Sequence, residues 1–245
     1  MIDFVKRFPI NASGRDFAVG DIHGHFSRLT EALIAIGFDK SRDRLFSVGD
    51  LVDRGPESAM ALEWLDKPWF HAVRGNHEDM AIRWPNGHMD AANYAQNGGA
   101  WNIANTPAER VAVSDALGRL PIAIEVETVA GIVGVVHAAC PFPSWSDFTW
   151  ALGAEGAECI SNSTRKEIFE AAMWSRERIT ARDLTLVDGC RAVVVGHTPL
   201  TSPQILGNVF YIDTAGWTRF GTFTFLRLDT LEPAVPASPR LDWEA

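Results

Sequence analysis

Cysteine is scarce in this chain, and its shortage excludes two classes of protein. There are only three cysteines, Cys140, Cys159 and Cys190, an odd number without CxxC spacing. Reduced thiols fit this usage better than a disulfide framework or a zinc site built from thiolates. We therefore expect no structural disulfide.

Basic residues are also in short supply. The 245 residues include 22 Lys and Arg against 31 Asp and Glu, which gives a formal net charge of −9. A protein that holds nucleic acid by neutralising phosphates needs clustered Lys and Arg. We therefore expect no nucleic-acid partner.

Long apolar runs are missing as well. The longest apolar stretches, such as residues 132–140, are far shorter than the ~20 residues that span a bilayer. Residues 1–10 carry charges where a signal peptide needs an apolar run. We therefore expect no membrane partner and a cytoplasmic protein.

What the chain does contain is an ordinary globular composition, with 47% apolar and 22% charged residues. A chain of this length buries roughly 70–75% of its unfolded surface, so a sizeable core is expected. No Pro/Gly/Ser-rich linker, charge run or internal repeat divides the sequence. We predict a single domain over residues 1–245.

The first third of the chain repeats one arrangement of strand, loop and helix. Apolar strands at residues 17–19, 44–48 and 70–73 each run into a polar loop with glycine, and a helical pattern follows each loop. Open α/β sheets place their ligands at the C-terminal ends of such strands. The loops are therefore the first candidates for a functional site.

The rest of the chain is helical first and then rich in strands. Residues 91–120 read as helical, with a break at residues 97–99 and a new start at Thr106-Pro107. The later segments are a hairpin of residues 122–127 and 132–136, an aromatic loop at residues 142–150, a helix near residues 164–174, and strands at residues 192–195, 209–212 and 222–228.

Polar residues with metal-binding or proton-carrying side chains follow five of these strands. They are Asp21, His23, Asp50, Asn76, His77, His137 and His197. Taken singly, each has an ordinary interpretation, because such an Asp can cap a helix, an Asn can form a turn and a histidine can be a buried hydrogen-bonding group. Turn chemistry alone does not readily place such residues after five separate strands.

The spacing of these residues predicts a site for two metals. Asp21 and His23 are two residues apart, so both can face one point, and with Asp50 they form one group of carboxylate and imidazole ligands. Asn76, His137 and His197 form a second group, and Asp50 is the natural bridge between them. Two divalent cations about 3.5–4 Å apart can share a hydroxide and clamp both oxygens of a phosphoryl displacement.

Four segments make the chain recognisable. They are GDIHG at residues 20–24, GDLVDRG at residues 49–55, RGNHE at residues 74–78 and GHTP at residues 196–199. This ordered set resembles the phosphoprotein phosphatase family of the calcineurin-like metallophosphoesterases, and most of all its short bacterial and phage members. The resemblance covers about residues 17–228. It implies an α/β fold of two mixed β-sheets packed as a sandwich and flanked by helices.

The resemblance also implies metal ligands and two bound cations. It assigns one metal to Asp21, His23 and Asp50, and it places Asp50, Asn76, His137 and His197 around the other. The metals expected from the family are two Mn²⁺ ions, with Fe, Zn, Ni or Co as alternatives.

Further roles come from the same resemblance. Arg54 and Arg176 would grip phosphate oxygens, because a guanidinium matches two of them at once. Arg178 lies two residues beyond Arg176 and remains an alternative to it. His77 would protonate the leaving alkoxide, with Asp53 holding it and keeping it cationic.

One departure from the family pattern lies beside the predicted site. His137 is followed by Ala138, Ala139 and Cys140, where much of the family has glycine soon after the histidine. These side chains narrow the expected site. For Cys140 an inert buried thiol is favoured over an oxidisable one.

The implied activity is removal of phosphate from phosphoserine and phosphothreonine proteins by direct attack of a metal-bridging hydroxide, with phosphotyrosine left open. The substrate would be a phosphorylated protein or peptide. The alternatives are a symmetrical diadenosine-tetraphosphate hydrolase, another nucleotide phosphoesterase and an inactive scaffold that binds phosphorylated partners. Asp53 and Glu78 favour the protein phosphatase, and the intact ligand set disfavours the scaffold. The oligomeric state is left open.

Overall fold

The computed structural model describes residues 4–234, and ten strands in that part of the chain form two sheets. The strands are β1 (Val5–Phe8), β2 (Asp16–Val19), β3 (Arg44–Ser47), β4 (Phe70–Ala72), β5 (Ala123–Thr128), β6 (Gly131–Val136), β7 (Ala192–Val195), β8 (Gln204–Leu206), β9 (Val209–Tyr211) and β10 (Phe225–Arg227).

Helices fill most of the connections between the strands. They are α1 (Phe26–Ala35), α2 (Ala61–Leu65), α3 (Asn76–Arg83), α4 (Ala91–Gln96), α5 (Ala100–Ile103), α6 (Pro107–Gly118), α7 (Trp145–Leu152), α8 (Ala154–Cys159), α9 (Asn162–Trp174) and α10 (Glu177–Ala181). A 3-10 turn at Ser58–Met60 leads into α2, and another at Trp84–Asn86 follows α3.

Both sheets mix parallel and antiparallel strands. The four-stranded sheet has the order β10-β2-β3-β4, in which β2, β3 and β4 are parallel and β10 is antiparallel to β2. The six-stranded sheet has the order β1-β5-β6-β7-β9-β8, with antiparallel pairs at β5–β6 and β8–β9. The parallel strands place several strand ends at the same edge of each sheet.

The two sheets pack face to face, and helices cover their outer faces. A buried cluster between the sheets takes Ala18 and Phe46 from the smaller sheet and Val133, Val135 and Val194 from the larger one. A second cluster joins the smaller sheet to α1, α2, α3 and α6, and a third joins the larger sheet to α7 and α9. The predicted sandwich of two mixed sheets flanked by helices is confirmed.

Alternation along the strands explains why they read as continuous apolar runs. In β2, Phe17 and Val19 face the helices while Ala18 faces the opposite sheet. In β7, Val193 and Val195 face α7 and α9 while Val194 faces the smaller sheet. Both faces of each strand are buried, so both require apolar side chains.

The sequence-based assignment is confirmed for most elements and wrong for the aromatic loop. Residues 142–150, expected as a loop, contain most of the first two turns of α7, which begins after Ser144 and buries Trp145 and Phe148 against the larger sheet. The Ser144 hydroxyl accepts a hydrogen bond from the Asp147 amide at 3.4 Å and caps the helix. Strands β1 and β8 and helices α8 and α10 were also missed.

Two further expectations concern the chain as a whole. The single domain over residues 1–245 stays a prediction, and residues 1–3 and 235–245 lie outside the described residues. Within residues 4–234, no helix is long and apolar enough to cross a membrane.

Candidate active site

Seven predicted site residues come together where five strands end. They follow β2, β3, β4, β6 and β7, and all seven are buried: Asp21, His23, Asp50, Asn76, His77, His137 and His197. The first three of these strands belong to the four-stranded sheet, and the other two belong to the six-stranded sheet. The site is therefore built between the two sheets.

Asp50, the predicted bridging ligand, lies between two groups of imidazoles. One carboxylate oxygen, Oδ2, is 3.6 Å from His23 Nε2, and the other, Oδ1, is 3.4 Å from His137 Nε2. Each oxygen of the carboxylate thus faces a different histidine. This is the geometry that a bridging ligand requires.

The second group of predicted ligands is the more compact one. Asn76 Oδ1 lies 2.9 Å from both His137 Nε2 and His197 Nδ1, and these two nitrogens are 3.2 Å apart. With Asp50, the two histidines form a cluster whose ligand atoms all lie within 4.8 Å of one another.

The first group is less clear-cut in its membership. Asp21 Oδ2 is 4.0 Å from His23 Nε2. His77 Nε2 is 3.9 Å from Asp50 Oδ2, and His23, Asp50 and His77 also form a cluster within 4.8 Å. Distance alone therefore admits either Asp21 or His77 beside His23 and Asp50, and the other partners of His77 have to separate the two roles.

Backbone carbonyls orient the imidazoles of the three predicted ligand histidines through the ring nitrogen that points away from the site. The hydrogen bonds are donated by His23 Nδ1 to Val52 O (3.0 Å), by His137 Nδ1 to Val48 O (2.7 Å) and by His197 Nε2 to Trp174 O (3.1 Å). A carbonyl only accepts, so each outer nitrogen carries the hydrogen and each inner nitrogen presents its lone pair to the site.

This donor set suits divalent cations. Burial lowers the pKa of His23 and His137, and it lowers that of His197 to about 3, so these imidazoles are neutral near pH 7. Lone pairs of neutral histidines, an amide oxygen and carboxylates then face one another without hydrogens between them. A cation satisfies such a set, and its mixture of nitrogen and oxygen donors matches Mn²⁺, Fe or Zn.

His77 has partners that fit a proton carrier. Its Nδ1 donates to Asp53 Oδ2 at 2.8 Å, and the second oxygen of Asp53 accepts from Trp101 Nε1 at 2.7 Å. Burial opposes a charge on His77, but Asp50 and Asp53 outweigh it and raise the pKa of the imidazole. The predicted contact between Asp53 and His77 is present.

The structure also distinguishes between the candidate arginines. Arg54 is exposed at the site, with its guanidinium nitrogens 2.9 Å from His23 Nε2 and 3.1 Å from His77 Nε2. Arg176 donates to the carbonyl of His197 at 3.1 Å. Arg178 instead donates to the carbonyls of Asp183 and Thr185, away from the site. Of the two candidates, Arg176 is the one beside the site.

Glu78 has a structural role that its place in the RGNHE segment did not reveal. One carboxylate oxygen accepts from the amides of Asp50 and Gly75, both at 2.8 Å, and the other accepts from those of Leu51 (2.8 Å) and Val52 (3.3 Å). The side chain therefore ties the loop after β3 to the start of α3. It sets the position of Asp50.

Two glycines at the strand ends are required by close approach rather than by turn geometry. A Cβ on Gly75 would lie 2.3 Å from Asp50 Oδ1, and one on Gly196 would lie 2.2 Å from Asp21 Oδ1. Both contacts are far below normal separation. The carboxylates thus reach their positions only because these residues lack side chains.

The backbone of the site is held in an uncommon conformation. His23, Asp50, Asp53, Arg54 and His197 all have positive φ, between 45° and 70°. Non-glycine residues with positive φ are a few per cent of the total and cluster at functional sites. Five of them among the predicted site residues indicate that the fold imposes these side-chain directions.

Two residues near the site were missed as site residues. Asp213 is buried beside Asp21, and burial raises its pKa to about 6; its Oδ2 has no hydrogen-bond partner among residues 4–234. Trp217 packs edge-on against His23, with ring centroids 4.9 Å apart, and lies under the Arg54 guanidinium at 4.6 Å. Asp213 comes shortly after strand β9, a position that could have indicated it, whereas nothing in the sequence pattern singled out Trp217.

Cys140 matches the favoured interpretation of an inert thiol. Its Sγ contacts the carbonyl of Phe142 at 3.5 Å, and burial raises the pKa of the thiol to about 11. At neutral pH it is therefore a thiol and not the reactive thiolate.

Comparison with known proteins gives a family match over most of the chain. Residues 17–201 match the family described as Calcineurin-like phosphoesterase. The chain is 36% identical over 216 residues to Serine/threonine-protein phosphatase 1 of Salmonella typhimurium, and the match covers 86% of this chain and 91% of that protein.

Other relatives carry different names. The symmetrical Bis(5'-nucleosyl)-tetraphosphatase of Paracidovorax citrulli is 29% identical over 187 residues, which are 75% of this chain and 65% of that one. Among solved structures, the cold-active protein-tyrosine phosphatase of a psychrophilic Shewanella superposes with a TM-score of 0.61. The superposition covers 95% of this chain and 79% of the Shewanella chain. The identity is 15%, so the likeness supports the fold alone.

Proposed function

The chain belongs to the calcineurin-like phosphoesterase family, and from that premise we propose that it removes phosphate from phosphoserine and phosphothreonine in proteins, with Mn²⁺ as its metal. Proteins of this family are metal-dependent phosphoester hydrolases. The relative that shares 36% of its residues over most of both chains is named as a serine/threonine phosphatase, which supports the finer assignment.

One contact carries the choice of substrate, and it is the hydrogen bond from His77 to Asp53. A serine or threonine side chain leaves as an alkoxide, which is a poor leaving group unless it is protonated. Asp53 stabilises the imidazolium form of His77, so this pair suits alkyl phosphates. The phosphate leaving group of a dinucleotide polyphosphate is a much weaker base and needs this proton less.

The remaining residues would bind and orient the phosphate. Arg54 contacts His77 and Arg176 donates to the carbonyl of His197, so both guanidinium groups can hold phosphate oxygens and stabilise the charge of the transition state. Asp21, His23, Asp50, Asn76, His137 and His197 would hold the metals. When bound, divalent cations would neutralise the phosphate and activate a water molecule.

We place the activity in the cytoplasm, and the cysteines support this location. Cys140, Cys159 and Cys190 are free thiols. Reducing compartments maintain such thiols.

A hydrolysis panel on metal-stripped protein tests the proposed function. The substrates are phosphoserine and phosphothreonine peptides, a phosphotyrosine peptide, diadenosine tetraphosphate and bis-p-nitrophenyl phosphate, each measured with and without added Mn²⁺. We expect activity to vanish after chelation, to return with Mn²⁺ and to be highest on the phosphoserine and phosphothreonine peptides. A higher kcat/KM on diadenosine tetraphosphate would assign the protein to the alternative activity. Full activity after rigorous chelation would remove the role of the metals.

A further inference from the structure

A groove outside the metal site runs between two helices and is lined by more cationic than anionic side chains. Its volume is about 940 Å³, and its walls are formed by Asp79 and Arg83 of α3 on one side and by residues of α9, from Asn162 to Trp174, on the other. We call it the α3–α9 groove.

Both walls of the α3–α9 groove end at the metal site. Helix α3 begins with Asn76 and His77, which are site residues. Helix α9 ends at Trp174, whose carbonyl orients His197, and Arg176 follows two residues later. The groove therefore extends outward from the place where phosphate would bind.

Positive charge exceeds negative charge along this groove. Its lining includes the cations Arg74, Arg83, Arg165 and Lys166 and the carboxylates Asp79 and Glu170. Asp79 pairs with Arg83 at 3.0 Å. None of the ion pairs within 4.0 Å among residues 4–234 includes Arg74, Arg165 or Lys166. Such a surplus is unexpected in a chain with a net charge of −9.

Because Arg74 is buried, the excess of positive charge in the groove is unfavourable unless an anion is bound. Arg74 is only 9% exposed, and its guanidinium donates to the carbonyls of Gly118 and Leu120. Its Nε has no hydrogen-bond partner in the described part of the chain. The nearby carboxylates of Asp79 and Glu78 attract this charge but do not offset the cost of its burial, so an anion in the groove would be attracted to it.

We propose that the α3–α9 groove binds acidic side chains of the phosphoprotein substrate, next to the phosphorylated residue in its sequence. This proposal rests on the proposed function, because it takes the substrate to be a polypeptide. Arg83 lies seven positions along α3 from Asn76, which at 1.5 Å per residue is about 10 Å. An extended peptide covers that length in about three residues. The acidic residues are therefore expected two to four positions from the phosphoserine.

Peptides of one length and different charge test this placement. One phosphoserine peptide carries three Asp residues at positions two to four on the N-terminal side, a second carries them on the C-terminal side, and a third has Asn at all of these positions. We expect acidic residues on one of the two sides to raise kcat/KM about three- to tenfold at low salt, mainly through KM, and the gain to shrink as NaCl is added. The net charge of the protein alone would give the opposite order.

A charge reversal in the groove identifies where the preference arises. Lys166→Glu should reduce the ratio of kcat/KM between the acidic and the Asn peptide to about one or below, and Lys166→Arg should retain it. Lys40→Glu changes the net charge equally at an exposed position outside the groove, and we expect the wild-type ratio in that variant.

The outcomes separate this proposal from the proposed function. Equal kcat/KM on all three peptides would overturn the groove assignment and leave the phosphatase assignment standing. The groove assignment would also be overturned if Lys40→Glu lowered the ratio of kcat/KM between the acidic and the Asn peptide as much as Lys166→Glu does. Hydrolysis of p-nitrophenyl phosphate and diadenosine tetraphosphate but of no peptide would overturn both proposals, and a loss of dinucleotide hydrolysis in Lys166→Glu would then assign the groove to polyphosphate.

Discussion

At the scale of single residues, His77 is the side chain on which the proposed choice of substrate depends. It lies close enough to Asp50 to be grouped with the metal ligands, yet its Nδ1 is bound to Asp53 and its Nε2 faces Arg54. A ligand needs a lone pair toward the metal, whereas an acid needs a proton and a counter-ion. The contact with Asp53 favours the acid.

The effect of substituting His77 on kcat should therefore depend on the leaving group of the substrate. We expect His77→Asn to lower kcat on a phosphoserine peptide by about 10²- to 10⁴-fold. The loss should be much smaller on p-nitrophenyl phosphate, because its phenolate leaves without protonation. Asp53→Asn should show the same pattern more mildly, since it removes only the partner of the acid.

Metal content has to be measured alongside these rates. We expect His77→Asn to keep its metals, because the remaining predicted ligands are intact. Equal losses of kcat on both substrates, or loss of metal from this variant, would make His77 a positioning residue or a ligand instead of the acid.

Arg54 offers a second test at this scale, because it contacts the predicted ligand His23 and the proposed acid His77 without being a predicted ligand itself. Arg54→Ala should lower turnover and weaken inhibition by free phosphate while both metals stay bound. Asp50→Asn should release metal, since both oxygens of Asp50 face imidazoles. Elemental analysis of the two purified variants checks this, and an equal drop in metal content would contradict the assignment of Arg54 to the substrate.

At the scale of secondary-structure elements, β4 contains a histidine that has no part in the proposed chemistry. His71 packs against Phe8 and Phe46, with ring centroids 4.3 Å and 5.3 Å away. Burial lowers its pKa to about 4, and Lys6 and Arg44 act in the same direction. Charging this imidazole is therefore unfavourable in the folded protein.

The sign of the resulting pH dependence follows from the two pKa values. Between about pH 6.5 and pH 4 the unfolded chain binds this proton and the folded chain does not, so stability falls as the pH falls. We expect His71→Phe to reduce the pH-dependent loss of unfolding free energy across this window by about 2–3 kcal/mol. Urea unfolding at several pH values measures it.

The ligand histidines titrate in both proteins, so the difference between wild type and variant isolates His71. His88→Gln, a substitution of an exposed histidine, is the matched control. The unfolding free energies of wild type and His71→Phe are compared from pH 7.5 to pH 4. A constant difference between them would show that the pKa of His71 does not change on folding.

The same elements show how far the sequence alone could lead. Strands β2, β3, β4 and β7 were predictable because each is a short, largely apolar run that leads into glycine and polar residues. Helix α7 was not, because its Trp and Phe side chains sit beside two prolines and resemble an aromatic loop. Its burial against the larger sheet is a tertiary contact that no local pattern records.

In the candidate site, too, some features could be predicted from local sequence and others depend on tertiary contacts. Each predicted ligand follows a strand, so its position at the sheet edge could be inferred from local sequence. The choice of Arg176 over Arg178 depends on which one reaches His197, and the edge-on packing of Trp217 against His23 depends on a loop that returns from far along the chain. Contacts of this kind are fixed by the packing of the two sheets.

At the scale of the whole molecule, the predicted metal ligands come from both halves of the sandwich. Asp21, His23, Asp50 and Asn76 follow strands of the four-stranded sheet, whereas His137 and His197 follow strands of the six-stranded sheet. Bound metal would thus join the two sheets at one edge, in addition to the apolar cluster between them. The unfolded chain does not hold these residues together.

Metal binding should therefore raise the thermal stability of the whole chain. A ligand at 100 times its Kd that binds only the folded state adds about 2.7 kcal/mol, and for a chain of this size each kcal/mol shifts Tm by about 2–4 °C. We expect Mn²⁺ added to metal-stripped protein to raise Tm by about 5–10 °C. His197→Asn, which removes a donor of the six-stranded sheet, should reduce this shift, while Arg54→Ala should keep it. Calorimetry of the three proteins with and without Mn²⁺ decides the point, because an undiminished shift in His197→Asn would mean that the metal does not connect the sheets through this residue.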